Sequence, residues 1–193
     1  SRNGILAIII LLPLATVRLT DITMGIMANP FYLDLGFSKT EIADVTKVFG
    51  FFMTIFGAAL GGVVVTRYGL LRPLLVGGVL AAVTNLLFAY LANHEPTLTL
   101  LATVVTADNL SGGFAGAVFI AYLSSLTNTA YTATQYALFS SLMTLPAKFM
   151  GGFSGIVVDL HGYSSFFIIT ALLGLPAILL VLYLLRRERI SGD

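Results

Sequence analysis

Four charged side chains fall inside long apolar stretches of the sequence, and these residues could do chemistry there. Arg18 and Asp21 lie in the first stretch, Asp108 in the fourth and Lys148 in the fifth. At the centre of a hydrocarbon layer each would cost about 2.5 to 3.5 kcal/mol, or about 10 to 14 kcal/mol together before any pairing. We therefore expect them to face protein or water, where they can form ion pairs, contact a polar solute or carry a proton.

Each charge has more than one possible role. Arg18 and Asp21 are three residues apart, so they share a helix face and can form a local ion pair. That pair either only neutralises itself or lines a polar pathway and exchanges partners. Asp108 and Lys148 can pair across a cavity, or each can bind a solute or carry a proton. A desolvated carboxylate that loses its cation takes up a proton, so Asp21 and Asp108 are both candidate proton carriers.

Uncharged polar side chains accompany these charges in the apolar stretches. They can line a pathway or serve as hydrogen-bond partners between helices. The residues are Asn85, Asn109, Ser111, Tyr122, Gln135 and Tyr136. Lys47, three residues after Asp44, is expected to snorkel or pair near the outer interface.

The composition indicates that lipid is part of the solvent. Of the 193 residues, 58% are hydrophobic and 10% are charged, and the mean hydropathy is +0.97. Soluble domains carry about 25% charged residues. The net charge of +1 argues against nucleic acid as a partner. Without cysteine, and with His94 and His161 in predicted loops, we expect no metal site and no cofactor.

The sequence divides into six stretches long enough to cross a bilayer, which needs about 20 apolar residues each. The predicted spans are 5–29, 41–66, 73–92, 97–126, 135–158 and 164–185. This predicts an all-α membrane protein with one six-helix transmembrane domain over residues 1–193. Ser38 and Glu41 have the spacing of a capping box at the start of the second helix. Pro13, Pro146 and Pro176 lie inside predicted helices, where kinks are expected.

Basic residues predict the orientation, because Lys and Arg accumulate in cytoplasmic loops. With the amino terminus inside, only Lys39 is clearly outside. The arginines then on the cytoplasmic side are Arg2, Arg67, Arg72, Arg186, Arg187 and Arg189. Both termini are therefore predicted to be cytoplasmic. The chain has no initiator methionine and begins almost at a helix, so we expect it to be part of a longer polypeptide.

An echo within the chain suggests an internal repeat. Gly62 and Gly69 end the second stretch, and Gly155 and Gly162, at the same spacing of seven, end the fifth. Because the two copies fall on opposite sides of the membrane, they fit an inverted repeat of three plus three helices. The alternative is that glycine is simply frequent in membrane helices.

The segment from Gly62 through Arg67 and Gly69 to Arg72 resembles the loop motif of the major facilitator superfamily. Thr66 stands where that motif usually has an acidic residue. The stretches 108–123 and 132–141 resemble the AmpG-type muropeptide permeases. This resemblance implies the carboxy-terminal six-helix half of a proton-coupled transporter, importing anhydromuropeptides across the bacterial inner membrane during peptidoglycan recycling.

Other readings stay open. A half-transporter would need its amino-terminal half or a second chain as partner. The solute could be another small polar molecule, or the chain could be a membrane half-domain that transports nothing. Gly152, Phe153, Ser154 and Gly155 match the Gly-x-Ser-Gly string of rhomboid-type proteases. The sixth stretch has no histidine to act as base, so we expect no enzymatic activity.

Overall fold

The computed structural model of the protein describes residues 20–126 and 132–191, and their regular structure is helical throughout. The first helix, α1, is described from residue 20 to 34. The helices that follow are α2 (Lys39–Val45), a π-helical turn (Thr46–Gly50), α3 (Phe51–Tyr68), α4 (Leu71–Ala92), α5 (Leu98–Leu126), α6 (Thr132–Gly151), α7 (Ser154–Leu173) and α8 (Leu175–Ser191). Arg2, Pro13 and Arg18 lie outside the described residues.

The predicted capping box at Ser38 and Glu41 is confirmed. The Glu41 amide donates to Ser38 Oγ at 3.2 Å, and the Ser38 amide donates to Glu41 Oε2 at 2.8 Å. Two amide donors that would be unsatisfied at a helix start are therefore paired. From this start α2, the π turn and α3 form one uninterrupted helical run to Tyr68.

Four helical runs of the described residues are long and apolar enough to cross a membrane. They are Lys39–Tyr68, Leu71–Ala92, Leu98–Ser125 and Ser154–Arg186. Many of their large apolar side chains are exposed, such as Val63 at 62% and Leu179 at 64%. Such surfaces are suited to lipid, which accords with the predicted all-α membrane protein.

The last two predicted spans are subdivided in the structure. Stretch 135–158 covers most of α6 and the first part of α7, and 164–185 covers the second half of α7 and most of α8. Gly162 interrupts helical geometry inside α7. Pro176 lies in the first turn of α8, where its missing amide removes the hydrogen bond that would join α8 to α7. Pro146, in contrast, lies within α6, which runs on to Gly151.

The two glycines that end the echoed segments adopt nearly the same backbone conformation. Gly69 has φ 76° and ψ −165°, and Gly162 has φ 77° and ψ 166°. This region of backbone space is essentially restricted to glycine. The two copies of the echo therefore share a turn as well as a sequence pattern.

An aromatic cluster joins α1, α4 and α7 at one end of the bundle. The side chains of Phe31, Phe88 and Phe167 are fully buried. The Phe31 ring centroid lies 4.9 Å from that of Phe167 and 6.2 Å from that of Phe88. Phe88 and Phe167 are 5.1 Å apart. These contacts fix the position of α1 relative to α4 and α7. They therefore also help to position the residues nearer the start of α1.

Candidate functional site

A cavity of about 220 Å³ lies among α1, α3, α4 and α5. Polar and small side chains make up most of its lining. The lining residues are Asp21, Met24, Gly25, Thr54, Thr84, Asp108, Asn109, Ser111, Gly112 and Gly113. We call it the carboxylate cavity, because Asp21 from α1 and Asp108 from α5 both line it.

The two carboxylates come together from residues 87 positions apart in sequence. Asp21 is near the start of the described part of α1, and Asp108 is about one third of the way along α5. Both side chains are partly buried, and both lie on helices that pack into the bundle. A carboxylate at such a position is costly unless it is hydrated, paired or protonated. This cavity can therefore hold water, a cation or a proton between two acidic groups.

Close backbone contact between α3 and α5 fixes one wall of this cavity. A Cβ atom added to Gly57 would overlap the Leu110 carbonyl oxygen, and one added to Gly113 would overlap the Thr54 carbonyl oxygen. A Cβ on Gly61 would lie 2.7 Å from the carbonyl oxygen of Phe114. Small residues permit this approach in membrane bundles. Asp108 and Asn109 are thereby held at a defined height along α3.

A side-chain hydrogen bond joins α3 and α5 beside this contact. Thr54 Oγ1 donates to Asn109 Oδ1 at 3.0 Å, and the same hydroxyl lies 2.9 Å from the Gly50 carbonyl oxygen. The Asn109 amide Nδ2 donates to the Val105 carbonyl at 2.8 Å. Asn109 is therefore held from both ends of its amide group.

A second cavity, of about 390 Å³, lies on the other side of this hydrogen bond. It is lined by Thr46, Lys47, Gly50, Phe51, Thr54, Ile55 and Asn109. Thr54 and Asn109 line both cavities, so they form the partition between them. Lys47 thus lines a cavity that adjoins the carboxylate cavity. The sequence predicts Lys47 only near the outer interface, and the signal that indicates a cavity beside it is its position inside an apolar helix.

The other predicted pathway residues are placed differently. Asn85 is buried on α4, with 2% of its surface exposed, and does not line the carboxylate cavity. Gln135 and Tyr136 are half-buried near the start of α6, and Lys148 is exposed near its end. These three residues do not line that cavity either. Arg18 lies outside the described residues, so the structure does not place it.

The loop-motif residues lie around a third space. Arg67, Gly69 and Arg72 line a cavity of about 590 Å³ between the ends of α3 and α4. Gly62 lies five residues before Arg67 on α3, and an added Cβ there would meet nothing within 4 Å. The motif therefore has one glycine required by its turn and one that faces open space.

The serine of the Gly-x-Ser-Gly string is engaged within its own chain segment. Ser154 is buried, and its hydroxyl donates to the carbonyl oxygen of Gly151. Within residues 20–126 and 132–191, no group of three or more His, Cys, Asp or Glu side chains is arranged to hold a metal ion.

Comparison with known proteins identifies the family of this chain. Residues 9–192 match the model of the Major Facilitator Superfamily. A putative transporter AmpG 4 of Rickettsia conorii is 34% identical over 178 residues, covering 92% of this chain and 43% of the relative. A putative transporter AmpG 1 of Rickettsia bellii is 35% identical over 175 residues, covering 91% and 43%.

The anhydromuropeptide permease of Escherichia coli K12 is 32% identical over 182 residues, covering 94% of this chain and 37% of the relative. The chain thus spans less than half the length of the curated relatives it matches. The resemblance to AmpG-type permeases is confirmed at this level. With its apolar helices and its match over residues 9–192, the chain is an all-α membrane protein that belongs to the Major Facilitator Superfamily.

Proposed function

We propose that this chain is the carboxy-terminal six-helix half of a proton-coupled transporter that imports anhydromuropeptides across the bacterial inner membrane. The observation that carries the proposal is the carboxylate cavity, in which Asp21 and Asp108 meet between helices of a membrane bundle. Transport coupled to protons requires an acidic group whose surroundings change between two conformations. Both groups lie where a change in the packing of α1 against α5 would alter their surroundings.

Thr54 and Asn109 separate the carboxylate cavity from the second cavity. A solute path that continues past the carboxylates would therefore run by these two residues. On its far side Lys47 supplies a cation to the adjoining cavity. An anionic or strongly polar solute can be attracted by that cation and by the amide of Asn109. Muropeptides carry carboxylate and amide groups, so this chemistry matches them. The name of the Escherichia coli relative, anhydromuropeptide permease, gives the same class of solute.

The proposed topology places both termini in the cytoplasm and treats residues 1–193 as a single six-helix domain. Arginines at the end of α3 and the start of α4 would then face the cytoplasm, as their distribution favours. In this arrangement the site is completed by an amino-terminal half or by a second chain, because alternating access is made by two halves that rock about a shared site. Residues of that other half would cover the open sides of the two cavities.

The test is uptake of labelled anhydromuropeptide into proteoliposomes that contain the complete transporter. We expect uptake to rise when the proton gradient is directed inward and to fall when a protonophore removes the gradient. Unlabelled anhydromuropeptide should compete with the label, whereas an unrelated disaccharide of similar size should not. Uptake that is the same with and without the gradient would reject proton coupling. Competition by the unrelated sugar alone would reject the muropeptide and favour a different small polar solute.

A further inference from the structure

The third cavity, around the loop motif, gathers cationic and neutral groups at one end of the bundle. It lies where α3 ends, α4 begins, and α5 and α8 approach. Its lining consists of Arg67, Tyr68, Gly69, Leu70, Leu71, Arg72, Tyr122 and Leu185. No acidic side chain is among these described lining residues. Its volume of about 590 Å³ is large enough for a phosphate-sized group with attached atoms.

The first turn of α4 contributes backbone donors to this cavity. The residue before the helix, Leu70, makes no side-chain cap hydrogen bond. The first intrahelical bond runs from the Leu74 amide to the Leu70 carbonyl at 3.1 Å, and Pro73 has no amide hydrogen. The amides of Leu71 and Arg72 therefore precede the intrahelical ladder. Amides at such an end attract anions, which the positive end of the helix dipole reinforces.

Tyr122 supplies an independent indication that a ligand belongs here. Only 4% of its surface is exposed, and its hydroxyl is buried without a hydrogen-bond partner. Among the described residues it is the one buried side chain whose polar atom has no partner. A buried hydroxyl without a partner costs about 1 to 3 kcal/mol. Because Tyr122 lines the cavity, an acceptor oxygen that reaches its hydroxyl from there would remove that cost.

The surroundings of the two arginines indicate what carries the anion. Val63 lies four residues before Arg67 on α3, and Val76 lies four residues after Arg72 on α4. Residues four apart share a helix face, so each arginine has a valine on the same face, one turn nearer the middle of its helix. Val63 is 62% exposed and Val76 is 45% exposed. A polar headgroup at the arginines would therefore continue into an apolar surface that suits an acyl chain.

We propose that this cavity binds the phosphate headgroup of an anionic phospholipid, with its acyl chains along the valine faces of α3 and α4. The guanidinium groups of Arg67 and Arg72 contact the phosphate oxygens, since their planar forks match that geometry. The Tyr122 hydroxyl and the first amides of α4 supply further donors. Arg67 also lies 5.8 Å from the centre of the Tyr68 ring, which restrains it at the rim of the cavity.

The experiment counts lipids bound to the complete protein. The protein is reconstituted in phosphatidylcholine bilayers containing one quarter phosphatidylglycerol, extracted gently, and examined by native mass spectrometry for retained phosphatidylglycerol. We expect one tightly retained molecule in the unaltered protein. In a second arm, millimolar inorganic phosphate is added before extraction, and it should not displace the lipid.

Variants separate this site from general attraction of anionic lipid. The double variant Arg67→Gln/Arg72→Gln should weaken retention by about tenfold or more, because two charge-assisted contacts are lost. Tyr122→Phe should weaken it by a smaller factor, since it removes one neutral donor. The matched control is Arg186→Gln: Arg186 is exposed on α8 beside Leu185 but does not line the cavity. It should retain lipid like the unaltered protein.

Several outcomes would overturn the proposal. Undiminished retention by the double variant would do so, and so would an equal loss in Arg186→Gln, which would indicate unspecific attraction. Displacement by inorganic phosphate would mean that a free anion, not a lipid, occupies the cavity. If the double glutamine variant does not fold, Arg67→Lys/Arg72→Lys keeps both charges. Its retention should still fall, because lysine lacks the planar fork, and retention equal to the unaltered protein would count against guanidinium recognition.

Discussion

Tyr163 donates a hydrogen bond of 2.6 Å to Asp34 Oδ2, which joins the end of α1 to the residue that follows the helix break at Gly162. Beside it, Asn93 Nδ2 donates to Ser164 Oγ at 2.7 Å and joins the end of α4 to the same region of α7. The Tyr163 ring also lies 4.9 Å from Phe31 in the aromatic cluster. One end of the bundle is therefore closed by two polar contacts above an aromatic layer.

Replacing Tyr163 with Phe should lower stability modestly. The ring contact with Phe31 is kept and only the hydroxyl is lost, so we expect a loss of about 0.5 to 1.5 kcal/mol. The melting temperature in detergent, followed by circular dichroism, measures this. Tyr183→Phe on the exposed face of α8 is the control. Equal melting temperatures for Tyr163→Phe and the unaltered protein would show that the hydrogen bond to Asp34 contributes nothing.

Alanine at Gly57 or Gly113 should destabilise the bundle strongly. The added methyl group overlaps a carbonyl oxygen of the facing helix, so α3 and α5 must separate, at a cost of about 1 to 3 kcal/mol each. The melting temperature and the monodispersity of the purified protein are the measurements. Gly62→Ala on α3 and Gly116→Ala on α5 are matched controls, because a Cβ at either position meets nothing within 4 Å. Destabilisation of the controls to the same degree would contradict the packing argument.

Alanine at Gly69 or Gly162 should also destabilise, for a conformational reason. Neither position crowds an added Cβ, but both have φ near +77° with ψ near 180°, which a residue with a Cβ adopts at a cost of about 1 to 3 kcal/mol. Gly62→Ala and Gly155→Ala serve as controls, since they are the helical first glycines of the same two echoed segments. Chemical denaturation in mixed micelles reports the difference, and tolerance of alanine at Gly162 would show that its turn can relax.

Asp108→Asn should reduce gradient-driven uptake toward the level measured without a gradient. The amide keeps the size and hydrogen-bonding capacity of the side chain but does not carry a proton. Asp21→Asn should have the same direction of effect, because both residues line the carboxylate cavity. Asp44→Asn, an exposed position on α2, should transport normally. Full coupled uptake by Asp108→Asn would remove that residue from the mechanism.

The charged residues that would cost free energy in lipid could be identified from the sequence, because a charge in an apolar stretch has few acceptable environments. The same holds for the capping box at Ser38, whose signal is local. The partners of these residues were not visible. That Asp108 shares a cavity with Asp21 while Lys148 lies outside it depends on which helices pack together, and spacing within one helix carries no such information. The close contacts of Gly57 and Gly113 are set by the facing helix in the same way.

The π turn at Thr46–Gly50 corrects the phase of the helical run from Lys39 to Tyr68. Buried positions along it are Ile42, Val45, Gly50, Gly57 and Gly61. The step of five from Val45 to Gly50 would rotate by about 140° beyond a full turn in a regular α-helix, which would split the buried stripe in two. In the π turn the Phe51 amide bonds to the Thr46 carbonyl, so residues five apart come into line. If these five residues were regular α-helix instead, composition and hydropathy would be unchanged, yet the glycine edge of α3 would turn away from α5 relative to Ile42 and Val45.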